Sequence, residues 1–213
     1  MRQFWLSPPQ WLRNYVLPKA IFTGKVPSNS VKPPLYLTFD DGPNPNVTPQ
    51  ILSILAQYQA KATFFCIGRQ VEQFQDVFNE VVKNDHAVGN HSYQHQQWLW
   101  LNPKAYLADI ARCNNIFTTN LHRPPFGRIT PQIISWLAKK GNPAQKTVLW
   151  HVMPGDFLPN QHPQTLFNRL IPYIKPGAII TLHDNAQSQQ QVLPLLKLIL
   201  NNYADDYLFE ALY

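Results

Sequence analysis

The chain has little glycine, little charge and little cysteine. Its 213 residues include 8 glycines, about half the usual share of roughly 7%. With no Gly-X-Y period and no low-complexity tract, a collagen-like or linker-like chain is excluded. Only 14% of residues are charged and 45% are hydrophobic, which excludes an intrinsically disordered chain. The two cysteines, Cys66 and Cys113, form neither a CxxC nor any zinc-type spacing. A chain of this length buries enough surface to fold without disulfide staples. Cys66 lies in the apolar run Thr63-Phe64-Phe65-Cys66-Ile67, so two reduced core thiols are the simplest reading. No apolar run reaches the length of a membrane span. Met1 to Ala20 has no continuous apolar region of the signal-peptide kind. Read alone, this places the chain in the cytoplasm, with export or peripheral association with the cell envelope left open. The formal net charge is +6, but the basic residues are scattered and no nucleic-acid motif is present, so no nucleic-acid partner is expected.

Proline is abundant, at 20 residues, nearly twice the usual share of about 5%. Part of the excess marks helix starts: Thr48-Pro49, Asn102-Pro103 and Thr130-Pro131 each place a capping oxygen before a proline that needs no amide partner, and His162-Pro163 offers a fourth start, with histidine a poor cap. Apolar, β-branched runs fall at Leu35–Phe39, Ala62–Gly68, Ala87–Asn90, Leu121–Pro124, Thr147–Val152, Gly177–Leu182 and Tyr207–Leu212. Segments with helical spacing alternate with them at Pro49–Gln59, Gln70–Lys83, Pro103–Thr119, Pro131–Lys140, Pro163–Ile174 and Ala186–Tyr203. This alternation predicts βαβ units and a mainly parallel sheet, either open or closed as a barrel. Both place the chemistry at the carboxyl ends of the strands. Residues 1–34 read as an arm packed on one domain spanning 35–213, with a short helix near Pro9–Leu17.

The acids are few, and four of the nine aspartates stand at these strand ends. Thr38-Phe39-Asp40-Asp41-Gly42-Pro43 closes the first strand. Adjacent carboxylates repel unless a cation compensates them, although Asp-Gly-Pro is also a plain turn signal. His91-Ser92-Tyr93-Gln94-His95 follows the third strand. If this segment is helical or tightly turned, its two imidazoles converge on one ion. Two histidines and one aspartate make a three-ligand site of the catalytic kind. Arg123-Pro124-Pro125-Phe126-Gly127, Met153-Pro154-Gly155-Asp156-Phe157 and Thr181-Leu182-His183-Asp184 end later strands. Each has a structural reading when taken alone; their placement at successive strand ends argues for a site.

In this order the five segments resemble the polysaccharide deacetylase (NodB-homology) family, carbohydrate esterase family four, over about Leu35 to Leu212. The resemblance implies an α/β fold: a distorted, incomplete (β/α) barrel of about seven parallel strands with helices outside. It implies a metal-dependent hydrolase that removes acetyl groups from N- or O-acetylated sugars, such as N-acetylglucosamine-containing glycans. Asp41, His91 and His95 would hold one divalent ion, Zn2+ or else Co2+ or Ni2+. Asp40 would be the base toward the attacking water, Arg123 its partner, His183 the acid toward the leaving amine, and Asp156 a partner of His183 or of the Arg123 network. Phe126, Phe157, Thr181 and Leu182 would face the substrate, with the Phe126 amide as a second donor to the oxyanion.

The chain departs from the family pattern at three places. Met153 stands where an aspartate is expected, Phe157 where a tryptophan is, and Thr181 where a leucine is. The last two predict a roomier, more polar acyl pocket. An amidase of the same fold acting on a small non-glycan amide, and a catalytically silent carbohydrate-binding protein, are the competing readings. Trp98 and Trp100 are candidates for stacking on a sugar, with core packing the simpler alternative.

Overall fold

The structure is a computed structural model that describes residues 6–97, 99–141 and 143–213. Trp98 therefore lies outside the described residues. The sheet is built from β1 (Pro34–Asp40), β2 (Ala62–Cys66), β3 (Ala87–Asn90), β4 (Leu121–His122), β5 (Lys146–Thr147), β6 (Ile179–His183) and β7 (Leu208–Phe209). Its order is β5-β4-β3-β2-β1-β6, with β7 beside the start of β1, and every pairing is parallel. Around it lie α1 (Thr48–Gln57), α2 (Gly68–Gln73), α3 (Gln75–Lys83), α4 (Pro103–Asn114), α5 (Pro131–Lys140), α6 (Pro163–Leu170) and α7 (Gln189–Tyr203). Beyond β5 the chain runs on to Val152, which bridges to Ile180 of β6. The expected incomplete barrel of parallel strands is the fold the chain adopts.

The strands show no polar-out alternation because both faces are covered. On the outer face Leu35, Leu37, Phe39, Phe64, Ile180 and Leu182 pack with Ile51, Leu55, Leu195 and Ile199 of the helices. On the inner face Tyr36, Phe65, Leu121, Val148 and Ile179 fill the barrel. Successive rungs of β1 and β6 pair Tyr36 with Ile179, Thr38 with Thr181, and Asp40 with His183. The interior thus changes from apolar to polar toward the carboxyl ends. Each fully buried Leu, Ile or Phe contributes about 1.5–3 kcal/mol. A slip of one residue would turn every polar group into the outer core, so the register is strongly specified.

Local chemistry refines the predicted boundaries. The 70–83 segment breaks at Phe74 into two helices. Asn102 and Thr130 cap α4 and α5 as expected, and His162 accepts from Gln164 N. Thr48 does not cap α1. It sits inside the helix, where its hydroxyl accepts from Asn44 N at 2.8 Å and donates to Asp184 Oδ2 at 2.7 Å. Asn44 Oδ1 accepts from Asn46 N and Val47 N before the helix instead. The last helix begins at Gln189, not Ala186, because residues 184–188 form a turn used by the site.

In the arm, a single π-helical turn spans Leu12–Val16. Ile21 bridges to Val148 and Thr23 to Ala178, so the arm enters the gap between β5 and β6. Leu17 and Phe22 pack with Leu149, Trp150 and Met153. Arg13 reaches Ser7 Oγ, Pro8 O and both Nδ1 and the carbonyl of His151. Among the described residues no helix is long and apolar enough to cross a membrane. Cys66 and Cys113 are buried free thiols, and burial raises both pKa values, that of Cys113 to about 12.

Candidate metal and catalytic site

Asp41 leaves β1 with φ 82°, and Ser92 and His95 follow β3 with φ 64° and 54°. Non-glycine residues in the left-handed region cost on the order of 1–3 kcal/mol each and persist only where the surroundings hold them. The surroundings do so here. His95 N donates to Ser92 Oγ at 3.0 Å, and Tyr93 N and Gln94 N both donate to Asp109 Oδ2 of α4. The HxxxH segment is therefore a tight turn rather than a helix, and it still brings the two imidazoles together, with ring centroids 4.9 Å apart.

Asp41 Oδ1 lies 3.5 Å from His91 Nε2 and 3.1 Å from His95 Nε2. One ligand atom from each of the three residues lies within 4.8 Å of the others. His91 Nδ1 is 2.8 Å from the carbonyl oxygen of Arg123, which places its proton there and leaves the Nε2 lone pair facing Asp41. Burial, then His91, lowers the His95 pKa to about 4 despite Asp41 and Asp40, so this imidazole is neutral at pH 7. Burial pushes the Asp41 carboxyl up, but the neighbouring imidazoles, His91 in contact with it and then His95 and His183, outweigh burial in their protonated forms at low pH and hold it well below its usual range. Two imidazoles and one carboxylate suit a zinc-like ion. Asn185 Nδ2 donates to Asp41 Oδ2 at 2.8 Å, and Asn185 Oδ1 accepts from Ser188 N at the head of α7. Sequence reasoning missed Asn185. Its only sequence signal was proximity to His183.

Asp40, on the last residue of β1, is held by Arg123. The guanidinium Nη1 lies 2.7 Å from Asp40 Oδ1 and 2.7 Å from Thr38 Oγ1. Nε and Nη2 donate to the carbonyls of Val148 and Leu149. The guanidinium lies over the Phe65 ring at 4.0 Å. Arg123 has no exposed surface. Burial lowers its pKa, and Asp40 opposes that. A buried cation is tolerated because its donors are satisfied.

At the end of β6, His183 Nδ1 is 3.0 Å from Asp156 Oδ1, and His183 N donates to Asp156 Oδ2 at 2.7 Å. Burial lowers the His183 pKa, but Asp156, then Asp41 and Asp40, overcome it and raise it to about 9. Asp184 N donates to Asp40 O at 3.0 Å, tying the two strand ends together. Burial raises the Asp184 carboxyl to about 7, against the Thr48 hydrogen bond.

The remaining expected residues divide. Phe126 has φ 58° and its ring is 4.6 Å from that of His95. The Phe157 ring is 4.9 Å from that of His183. Leu182 points the other way: alternation along β6 buries it in the outer core, so it is not brought to the site. Thr181 has no exposed surface and bonds Thr38 instead of lining an open pocket. Met153, in place of an aspartate, is buried against arm residues, and its amide donates to Leu6 O. Trp100 packs beside Tyr106 and Ile110, with Arg128 over its ring, as core packing requires.

Comparison with known proteins gives the class and the family. A family profile described as polysaccharide deacetylase matches residues 28–144. The chain belongs to the polysaccharide deacetylase family. It is 33% identical over 196 residues to a peptidoglycan-N-acetylglucosamine deacetylase of Bacillus cereus, covering 89% of each protein. It is 32% identical over 170 residues to a chitooligosaccharide deacetylase of Azorhizobium caulinodans, covering 75% of this chain and 77% of that protein. A crystal structure of a peptidoglycan N-acetylglucosamine deacetylase, in complex with 4-naphthalen-1-yl-N-oxidanyl-benzamide, superposes with a TM-score of 0.78 at 26% identity, over 97% of this chain and 95% of that one.

Proposed function

We infer that this protein hydrolyses the acetamide of N-acetylated sugars in glycans of the peptidoglycan or chitooligosaccharide kind. One observation carries the reading. A single rim of strand ends holds an Asp/His/His cluster, a carboxylate pinned by an arginine, and an imidazole pinned by a carboxylate. Amide hydrolysis asks for three things: an electrophilic centre, a base and an acid.

Asp41, His91 and His95 would hold a divalent cation, with zinc best matched to the donors and cobalt or nickel also suited. When bound, such an ion supplies Lewis acidity and brings the pKa of water toward about 7. Asp40 accepts the proton of the attacking water, and Arg123 keeps that carboxylate turned to the rim. The Phe126 amide, on its left-handed turn, donates to the developing oxyanion. His183 gives a proton to the leaving nitrogen. With its pKa raised to about 9 it carries that proton at neutral pH. Asp156 occupies Nδ1, so Nε2 is the atom left to deliver it. Asp40 and His183 thus enter in opposite protonation states, as acid–base catalysis requires.

Acetate release tests this reading. Chelator-treated enzyme is assayed on N-acetylglucosamine oligomers, peptidoglycan and small amides, with and without added zinc. Zinc-dependent release from the glycans is expected. Release from small amides alone, or glycan binding without any release, would replace this reading with one of its competitors.

A further inference from the structure

We propose that Thr181 is a positioning residue for the base: its hydroxyl, through Thr38, sets where the Arg123 guanidinium meets Asp40. The inference rests on the reading of Asp40 as the base. Thr38 and Thr181 are register partners on β1 and β6, so their side chains share the inner face of the barrel. Their hydroxyl oxygens are 3.1 Å apart, and neither residue has exposed surface.

Counting protons orients the bond. Thr38 Oγ1 donates to Ile180 O at 3.0 Å, and a hydroxyl has one proton. Toward Thr181 it can therefore only accept, and Thr181 must donate. Arg123 Nη1 donates to the same oxygen at 2.7 Å. Thr38 Oγ1 then gives one hydrogen bond and receives two, which exhausts its capacity. That same Nη1 also reaches Asp40 Oδ1. The chain Thr181–Thr38–Arg123–Asp40 is continuous, buried and directional.

An apolar residue at 181 would leave one lone pair of Thr38 against hydrocarbon and free its oxygen to shift. Arg123 would shift with it, because Thr38 and Asp40 share one guanidinium nitrogen. The position of Thr181 also explains why a hydroxyl there need not alter acyl preference: it is used up inside the barrel, one rung below Asp40 and His183.

The test uses zinc-loaded enzyme and two variants. Thr181→Val keeps the shape and removes the hydroxyl; Thr181→Ser keeps the hydroxyl and removes the methyl. On an N-acetylglucosamine oligomer, Val should lower kcat about five- to tenfold, the usual weight of one buried hydrogen bond acting on catalysis. KM and zinc affinity should hold. Ser should restore most of kcat, and the propionyl-to-acetyl ratio of kcat/KM should be the same in all three proteins. Parental kcat in Val, a rise in KM or loss of zinc affinity that accounts for the effect, equal losses in Val and Ser, or an altered propionyl ratio would each overturn the inference. Asp40→Asn separates the levels: if it is inactive while Val behaves as the parent, this inference alone falls, whereas an active Asp40→Asn removes the base assignment beneath it.

Discussion

The carbonyl oxygen of Arg123 lies 2.8 Å from Nδ1 of His91, while its guanidinium holds Asp40 at 2.7 Å. One residue therefore orients a candidate metal ligand with its backbone and the candidate base with its side chain. The two duties separate by mutation. Arg123→Lys keeps the carbonyl and the charge but loses the forked donors to Val148 and Leu149. It should lower kcat by about a hundredfold through misplacement of Asp40. It should leave zinc affinity nearly unchanged and destabilise the fold by about 1–3 kcal/mol. Steady-state kinetics, zinc titration and thermal unfolding of one protein check all three.

The metal assignment predicts a graded series. His91→Ala/His95→Ala should bind no zinc at concentrations that saturate the parent at about one ion per chain. Asn185→Ala keeps all three ligands but frees Oδ2 of Asp41. It should weaken zinc by about 10–100-fold, as loss of a group orienting a ligand usually does. Competition against a chromophoric chelator measures both. Parental affinity in the double variant would remove the cluster as a metal site.

The acid limb of the chemistry sits on His183, raised to about 9, so activity should decline as pH rises through that region. Asp156 is its largest favourable influence, opposing burial. Asp156→Asn should therefore shift the alkaline fall in kcat toward or below the ordinary imidazole value of about 6.5. The stability sign follows from the same shift. A folded pKa above the unfolded one adds stability that is complete below about 6.5 and lost as pH rises through about 9. The difference in melting temperature between parent and Asp156→Asn should accordingly be largest below pH 6.5 and shrink above pH 9.

Gly42 carries a packing constraint. A Cβ there would stand 2.0 Å from Asp184 Oδ2, an oxygen already bonded to Thr48. Asp184 is buried and cannot swing away. Gly42→Ala should cost about 1–3 kcal/mol of stability, and it should reduce turnover by displacing the adjacent Asp41. Denaturant unfolding and a kcat measurement on the folded fraction would show whether both effects occur together.

The order of strands and helices was legible because apolar, β-branched runs alternate with helical spacing and X-Pro starts, a pattern set by local chemistry. The candidate ligands and the acid–base residues were legible too. Asp40-Asp41, His91/His95, Arg123, Asp156 and His183 stand at successive strand ends, and a parallel barrel gathers strand ends on one rim. What sequence could not decide was which face each neighbour of these residues takes and whom it meets. Leu182 and Thr181 are adjacent, yet pleating sends one to the outer core and the other to Thr38. Thr48 looked like a cap and instead bonds Asp184, 136 residues away. Asn185 carried no signal of its own, because its bond to Asp41 spans 144 residues. Periodicity along the chain determines elements, whereas partners across the barrel depend on register and closure, which only the folded chain possesses.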